Sequence, residues 1–205
     1  MSTARLESFS DGVMAVAITL LVLGFAIPGP THTANLGHAL GEQWPVYAAY
    51  ATSFITIGII WMNHHVMIGR LARADHSILI LNILLLMTIV VIPFGTGLLS
   101  TYLKAAQGPN LAAAVFGGIL LAMALTFTAL NHQILLRRPH LMTAQLSLQE
   151  RRAIFRRSIT GVPPYALATG LAAVSPYATL GITAGLAVFY ALPFASLTEP
   201  ARVDA

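Results

Sequence analysis

Long apolar runs dominate the chain, and short polar clusters separate them. A membrane-spanning helix needs about 20 mainly apolar residues. Six segments read as spans on this pattern. The first runs from about Arg5 to Ile27 and stops at Pro28-Gly-Pro30. The second runs from Trp44 to Gly69, with Pro45 in the first turn, where a missing N–H costs little. The third runs from His76 to Thr101 and holds Pro93, which predicts a kink. The fourth runs from Asn110 to Leu136. The fifth, from Arg156 to Val174, is short and carries Pro163-Pro164 near its start. The sixth, from Tyr177 to Leu197, follows a very short turn at Ser175-Pro176. The pattern predicts an all-α membrane protein, a single six-helix domain over residues 1–205.

The basic residues orient these spans. Loops on the cytoplasmic side of a membrane protein are enriched in Lys and Arg. Alternate loops collect Arg5, then Arg70 and Arg73, then Arg137, Arg138, Arg151, Arg152, Arg156 and Arg157, then Arg202. The opposite side holds only Lys104. Ten against one predicts that the N and C termini are both cytoplasmic. The segment from Arg137 to Arg157 reads as a short amphipathic helix on the inner surface, where anionic headgroups of membrane lipids attract arginine. The fourth helix carries no copy of the opening Phe-Ser-Asp pattern, so an internal repeat is not expected.

Composition agrees with the pattern. The chain is 57% hydrophobic and 9% charged, with a mean hydropathy of +0.76. Soluble domains carry about 25% charged residues. With no cysteine, disulfides, thiolate metal sites and cysteine nucleophiles are excluded. The net charge of +4 would suit nucleic acid, but the arginines cluster at helix ends and read as topology signals. No nucleic-acid partner is expected. A cleaved signal peptide fits poorly, because Glu7 and Asp11 interrupt its charge pattern and no small-x-small site follows.

The first helix carries the chemistry. At about 100° per residue, Val16, Thr19, Leu20 and Leu23 share one face, which Phe9 and Gly12 extend. Ile18 and Val22 lie off that stripe and are expected to face lipid. Asp11 lies on roughly the opposite face, and six residues separate it from Arg5, the wrong spacing for a helical pair. Its partner must stand on another helix. Depth selects the candidates: Asp11 sits about 10 Å along the first helix, His64 and His65 about 8 Å from the end of the second, and Asn82 about 10 Å along the third. Trp61, Asn63, His64, His65 and Asn82 are therefore expected to form a polar layer around Ser10 and Asp11, a buried network that clips the helices together.

Two other readings use the same residues. A proton-coupled transporter would relay protons through Asp11 and His64 or His65. A metal site would need His64, His65 and His76, yet adjacent histidines on a helix point about 100° apart, so no metal site and no cofactor are expected. His32, His38, His132 and His140 read as solvated loop residues. An embedded enzyme is disfavoured by the scarcity of acids within the spans and by the absence of thiols.

Arg5, Phe9, Ser10 and Asp11 form an Arg-x-x-x-Phe-Ser-Asp motif, and a Gly-Val-x-Ala-x-Ala-Ile-Thr-Leu-Leu-Val-Leu run follows. Trp61, His64 and His65 in the second helix and Leu-Asn82-x-Leu-Leu-Leu in the third complete the pattern. The chain resembles the bacterial relatives of the lysosomal potassium channel called transmembrane protein 175. That resemblance implies a homotetramer of six-helix subunits in a bacterial plasma membrane, with four first helices lining a central pore. It also implies that apolar rings from Val16, Leu20 and Leu23 form the constriction and that Thr19 contributes to selectivity. Val16 stands where relatives often have isoleucine. The expectation is thus a potassium-permeable channel without a voltage sensor, since no span carries a row of arginines. Apolar rings gate by dewetting, and potassium sheds water more readily than sodium.

Overall fold

Helices account for nearly all regular structure in the computed structural model, which describes residues 3–27 and 35–192. α1 (Thr3–Leu20) continues as a 3-10 turn over Leu21–Gly24. α2 (Leu36–Glu42) is short and starts at Asn35, whose side chain accepts from the Gly37 N–H. α3 (Trp44–Gly69) opens with Pro45 in its first turn. α4 (His76–Val90) is capped by Asp75, which accepts from the Ile78 N–H at 3.0 Å. α5 (Ile92–Tyr102) continues the same run after a break at Val91. Pro93 supplies the cause: it has no N–H to return to the preceding turn. α6 (Pro109–His132) begins after Gly108, whose φ of 84° is left-handed, and ends in a π-type turn over Gln133–Arg137. α7 (Leu148–Ile159) starts with a reciprocal Ser147–Glu150 capping box. α8 (Val162–Leu171) and α9 (Pro176–Ala191) close the chain, and Ser175 caps α9.

Four stretches among the described residues are long and apolar enough to cross a membrane: Thr3–Gly24, Trp44–Gly69, His76–Tyr102 and Pro109–Arg137. They coincide with the first four segments read from the sequence. The expected fifth span, Arg156 to Val174, is instead divided. Arg156 and Arg157 belong to α7, and α8 begins only at Val162. The physical reason is Pro163-Pro164, which cannot donate to the turn before them and so start a helix rather than continue one. The expected sixth span is represented by α9, and its far end near Leu197 lies outside the described residues, as do Pro28-Gly-Pro30, His32 and Arg202.

The Arg137–Arg157 segment is only partly helical. Its first half runs back along the α3–α4 loop, with Leu71 bridged antiparallel to Met142 and Ala72 N–H donating to the Leu141 carbonyl at 2.9 Å. Arg138 holds Asp75 at 3.0 Å, and Arg151 donates to the Leu135 and Leu146 carbonyls. His132, expected in solvent, is half-buried with its ring edge-on to Phe155.

α6 is the hub of the core and packs on α4, α5, α8 and α9. Its Phe116, Leu120 and Met123 are fully buried. Small residues permit these crossings. A Cβ on Gly117 would stand 2.9 Å from Thr169 Oγ1 and 3.1 Å from its Cα, so α8 approaches α6 there at backbone distance. At the end where α3 begins, Trp44 stacks on Tyr177 and Phe25 meets Tyr50 edge-on. Such rings suit the boundary between headgroups and acyl chains. Lys104 bonds Glu42 at this same end and holds its carboxyl below the usual carboxylate range.

Candidate pore helix and its interhelical clip

α1 divides its residues between two faces. Leu6, Ser10, Met14, Ala17 and Leu21 step by three or four residues and are all buried. They pack against α3, α4 and α5. Ile18, expected to face lipid, is half-buried and packs against this core.

A polar chain crosses the buried face. Ser10 Oγ donates to the Leu6 carbonyl at 2.9 Å and accepts from Asn82 Nδ2 at 3.0 Å. Asn82 Oδ1 lies 2.7 Å from His64 Nε2. With the amide oxygen as acceptor, Nε2 carries the proton and donates. Ser10, Asn82 and His64 are each fully enclosed. His64 Nδ1 has no hydrogen-bond partner among the described residues.

A second set of contacts runs beside the first, nearer the surface. Trp61 Nε1 donates to Asp11 Oδ1 at 2.9 Å, and His65 Nδ1 lies 2.6 Å from Glu7 Oε1. Glu7 and Asp11 are four residues apart on α1, and Trp61 and His65 are four apart on α3. Because the two helices run antiparallel, the pairs face one another like two rungs. Glu7 was absent from the network expected from sequence, although this matched spacing is a signal that points to it. Asn63 stands apart: it is exposed and its amide donates to the Ile59 carbonyl of its own helix at 2.9 Å. Arg5 is also exposed. No three histidine, aspartate or glutamate side chains gather into a potential metal site among the described residues.

The other face of α1 is uncovered. Phe9 is 56% exposed, Val16 58%, Leu20 40% and Leu23 75%. Phe9, Gly12 and Val16 line a shallow groove with Ser8, Val13 and Val90. Thr19 is exposed on the same side, and its hydroxyl donates to the Val16 carbonyl at 2.9 Å. With its proton committed to the helix, the oxygen offers lone pairs outward, as a cation ligand must.

The chain is similar to known proteins across these elements. The family described as the endosomal/lysosomal potassium channel TMEM175 matches residues 5–93, which take in nearly all of α1 and the whole of α2, α3 and α4. A Streptomyces collinus protein named a potassium channel is 43% identical over 92% of this chain and 91% of its own length. A chicken (Gallus gallus) protein named an endosomal/lysosomal proton channel is 34% identical, over 65% of this chain and 29% of its own length. The crystal structure of a lysosomal potassium-selective channel TMEM175 homolog from Chamaesiphon minutus superposes with a TM-score of 0.82 at 38% identity, covering 92% of this chain and 96% of that one. With such identity over almost the whole length of both chains, this protein belongs to the TMEM175 family.

Proposed function

We propose that the chain is a potassium channel of a bacterial plasma membrane, a homotetramer in which four copies of α1 surround the pore. The carrying observation is the uncovered stripe of α1. Val16, Leu20 and Leu23 are exposed in one subunit, while the residues behind them are buried in its core. One subunit offers one such face, so a closed pore requires rotational copies of it. Val16, Leu20 and Leu23 then form apolar rings, and Thr19 places hydroxyl oxygens between them. Ions cross by shedding part of their water at the apolar rings, with Thr19 replacing some of it. Two close relatives support potassium as the permeant ion, because one is named a potassium channel and the other a potassium-selective one.

The six-span plan is part of the same proposal. α8 and α9 pair as a hairpin of about 15 and 24 Å, with Ser175 at its tip. Shorter helices are accommodated by local thinning of the bilayer or by burial among neighbours. The arginine count supports a cytoplasmic position for both termini. A proton-coupled transporter draws no support from the clip, since Asp11 is bound by Trp61 and His64 by Asn82 rather than by each other.

Single-channel recording of the purified protein in planar bilayers tests the function. Unitary potassium currents with a reversal potential favouring potassium over sodium are expected. Saturating, proton-gradient-dependent uptake without unitary events would replace the channel by the transporter. Native mass measurement in mild detergent tests the assembly, and a monomer or dimer under conditions that preserve flux rules out the α1-lined pore.

A further inference from the structure

α7 is an amphipathic helix whose arrangement of arginine and leucine the pore does not use. One face is fixed to the protein. Ile154 and Phe155 pack against the core, and Arg151 is bound to the Leu135 and Leu146 carbonyls. Turning around the helix at about 100° per residue, the next strip holds Leu148 and Ile159, both large, apolar and exposed. Beyond them come Arg152 and Arg156, one turn apart and exposed. Leu148, Gln149, Arg152, Ala153 and Arg156 together line a surface hollow. The acid of this helix, Glu150, stands on the far side and accepts from the Ser147 N–H at 2.8 Å. The hollow therefore presents two cations with no carboxylate of α7 beside them.

Its place in the fold specifies what fills it. α7 lies between the end of the apolar span Pro109–Arg137 and the start of α8. It thus sits at a membrane boundary, at the end opposite the Trp44–Tyr177 stack. There an apolar strip beside two guanidinium groups matches a molecule with acyl chains below and an anionic phosphate above. We propose that Arg152 and Arg156 clasp the phosphate of an anionic phospholipid, with Leu148 and Ile159 seated against its acyl chains. The site anchors α7, and through it the α6–α8 connection, to the inner leaflet.

Native mass spectrometry of the detergent-purified protein, supplied with equal amounts of phosphatidylglycerol and phosphatidylcholine, tests this. The parent protein should retain phosphatidylglycerol preferentially. Each arginine near an anionic surface contributes about a five-fold gain in binding. Arg152→Gln and Arg156→Gln should each lose about that factor, and the double variant roughly thirty-fold. Leu148→Ser with Ile159→Ser should weaken retention of both lipids alike and leave the preference unchanged. Equal retention of the two lipids by the parent overturns the proposal. So does an undiminished preference in the single arginine variants, which alter exposed side chains outside the core. The readout is lipid binding alone, so a failure of the potassium-channel reading would leave the result interpretable.

Discussion

The two faces of α1 differ in what they demand of the rest of the molecule. The buried face contains Ser10, and every polar group it brings into the core must find a partner within the chain, which the Leu6 carbonyl and Asn82, itself bonded to His64, supply. From Ser8 to Leu23 the uncovered face is apolar apart from Ser8 and Thr19, whose hydroxyl protons are both satisfied by their own helix. The first face is thus complete in one subunit. The second is left uncovered by the subunit, with Leu23 three-quarters exposed, and it is the face proposed above to line the pore. A single helix is held by polar specificity on one side and presents an apolar surface on the other. Substitutions should separate the two roles: changes on the clip should act on folding, and changes on the stripe on permeation.

The clip should give the largest effects. Asn82→Leu keeps the branched shape of the side chain but removes the buried amide that partners both Ser10 and His64. It strands the His64 Nε2–H in the core, a penalty of about 1–3 kcal/mol for that donor alone. The expected outcome is a marked loss of monodisperse protein on size exclusion and the lowest melting temperature of the series. A variant that melts with the parent would show that the Ser10–Asn82–His64 chain is not what fastens α1. Asp11→Ala should act in the same direction but less, since Asp11 and Trp61 are both partly exposed. A loss of about 1 kcal/mol is expected for this hydrogen bond. Asp11→Asn, which keeps the acceptor oxygen, should recover most of it. A stable Asp11→Ala protein with altered proton coupling would instead support the transporter.

The stripe should leave stability alone and change selectivity. In the proposed pore, Leu23→Ser and Val16→Ala would each widen an apolar ring, so ions would keep more of their water and the barrier against sodium would fall. Total current should rise and the bi-ionic potassium/sodium reversal potential should move toward zero by a few-fold change in permeability ratio. Val22, which is exposed but off the stripe, is the control, and Ile18 is unsuitable because it packs in the core. An unchanged reversal potential in both ring variants, with a shift in Val22→Ala, would mean that the two faces have been assigned the wrong way round.

How far this division was legible differs between the two faces. The stripe could be read from α1 alone, because 3.6-residue periodicity needs no knowledge of other helices. The buried chain could be anticipated by matching depths along antiparallel helices, which brought Asn82, His64 and Ser10 to one level. Depth does not give rotation about the helix axis, however. Asn63 has the right depth but points away, and Ile18 was placed in lipid although it turns inward. The division at Thr160–Gly161 had a local signal in Pro163-Pro164, but apolar composition across Arg156–Val174 outweighed it. His132 was read as solvated because the packing of α7 over the end of α6 is a tertiary fact that hydropathy does not encode.

The weakest contact of the clip sharpens the comparison most finely. Glu7 and His65 stand at the same interface as Asp11 and Trp61, with the same four-residue spacing, but the His65 side chain is 59% exposed. Water competes for both partners there, so the pair should contribute no more than about 1 kcal/mol. Glu7→Gln and His65→Gln should each lower the melting temperature slightly, and the double variant should show a small positive coupling in a double-mutant cycle. Where His65 is protonated and the pair is ionic, that coupling should shrink in high salt, whereas the effect of Asn82→Leu, being enclosed, should not. Equal salt dependence for both would contradict the distinction between an enclosed chain and an outer rung. A coupling as large as the Asn82→Leu loss would move the main fastening of α1 from its buried face to the exposed edge of α3.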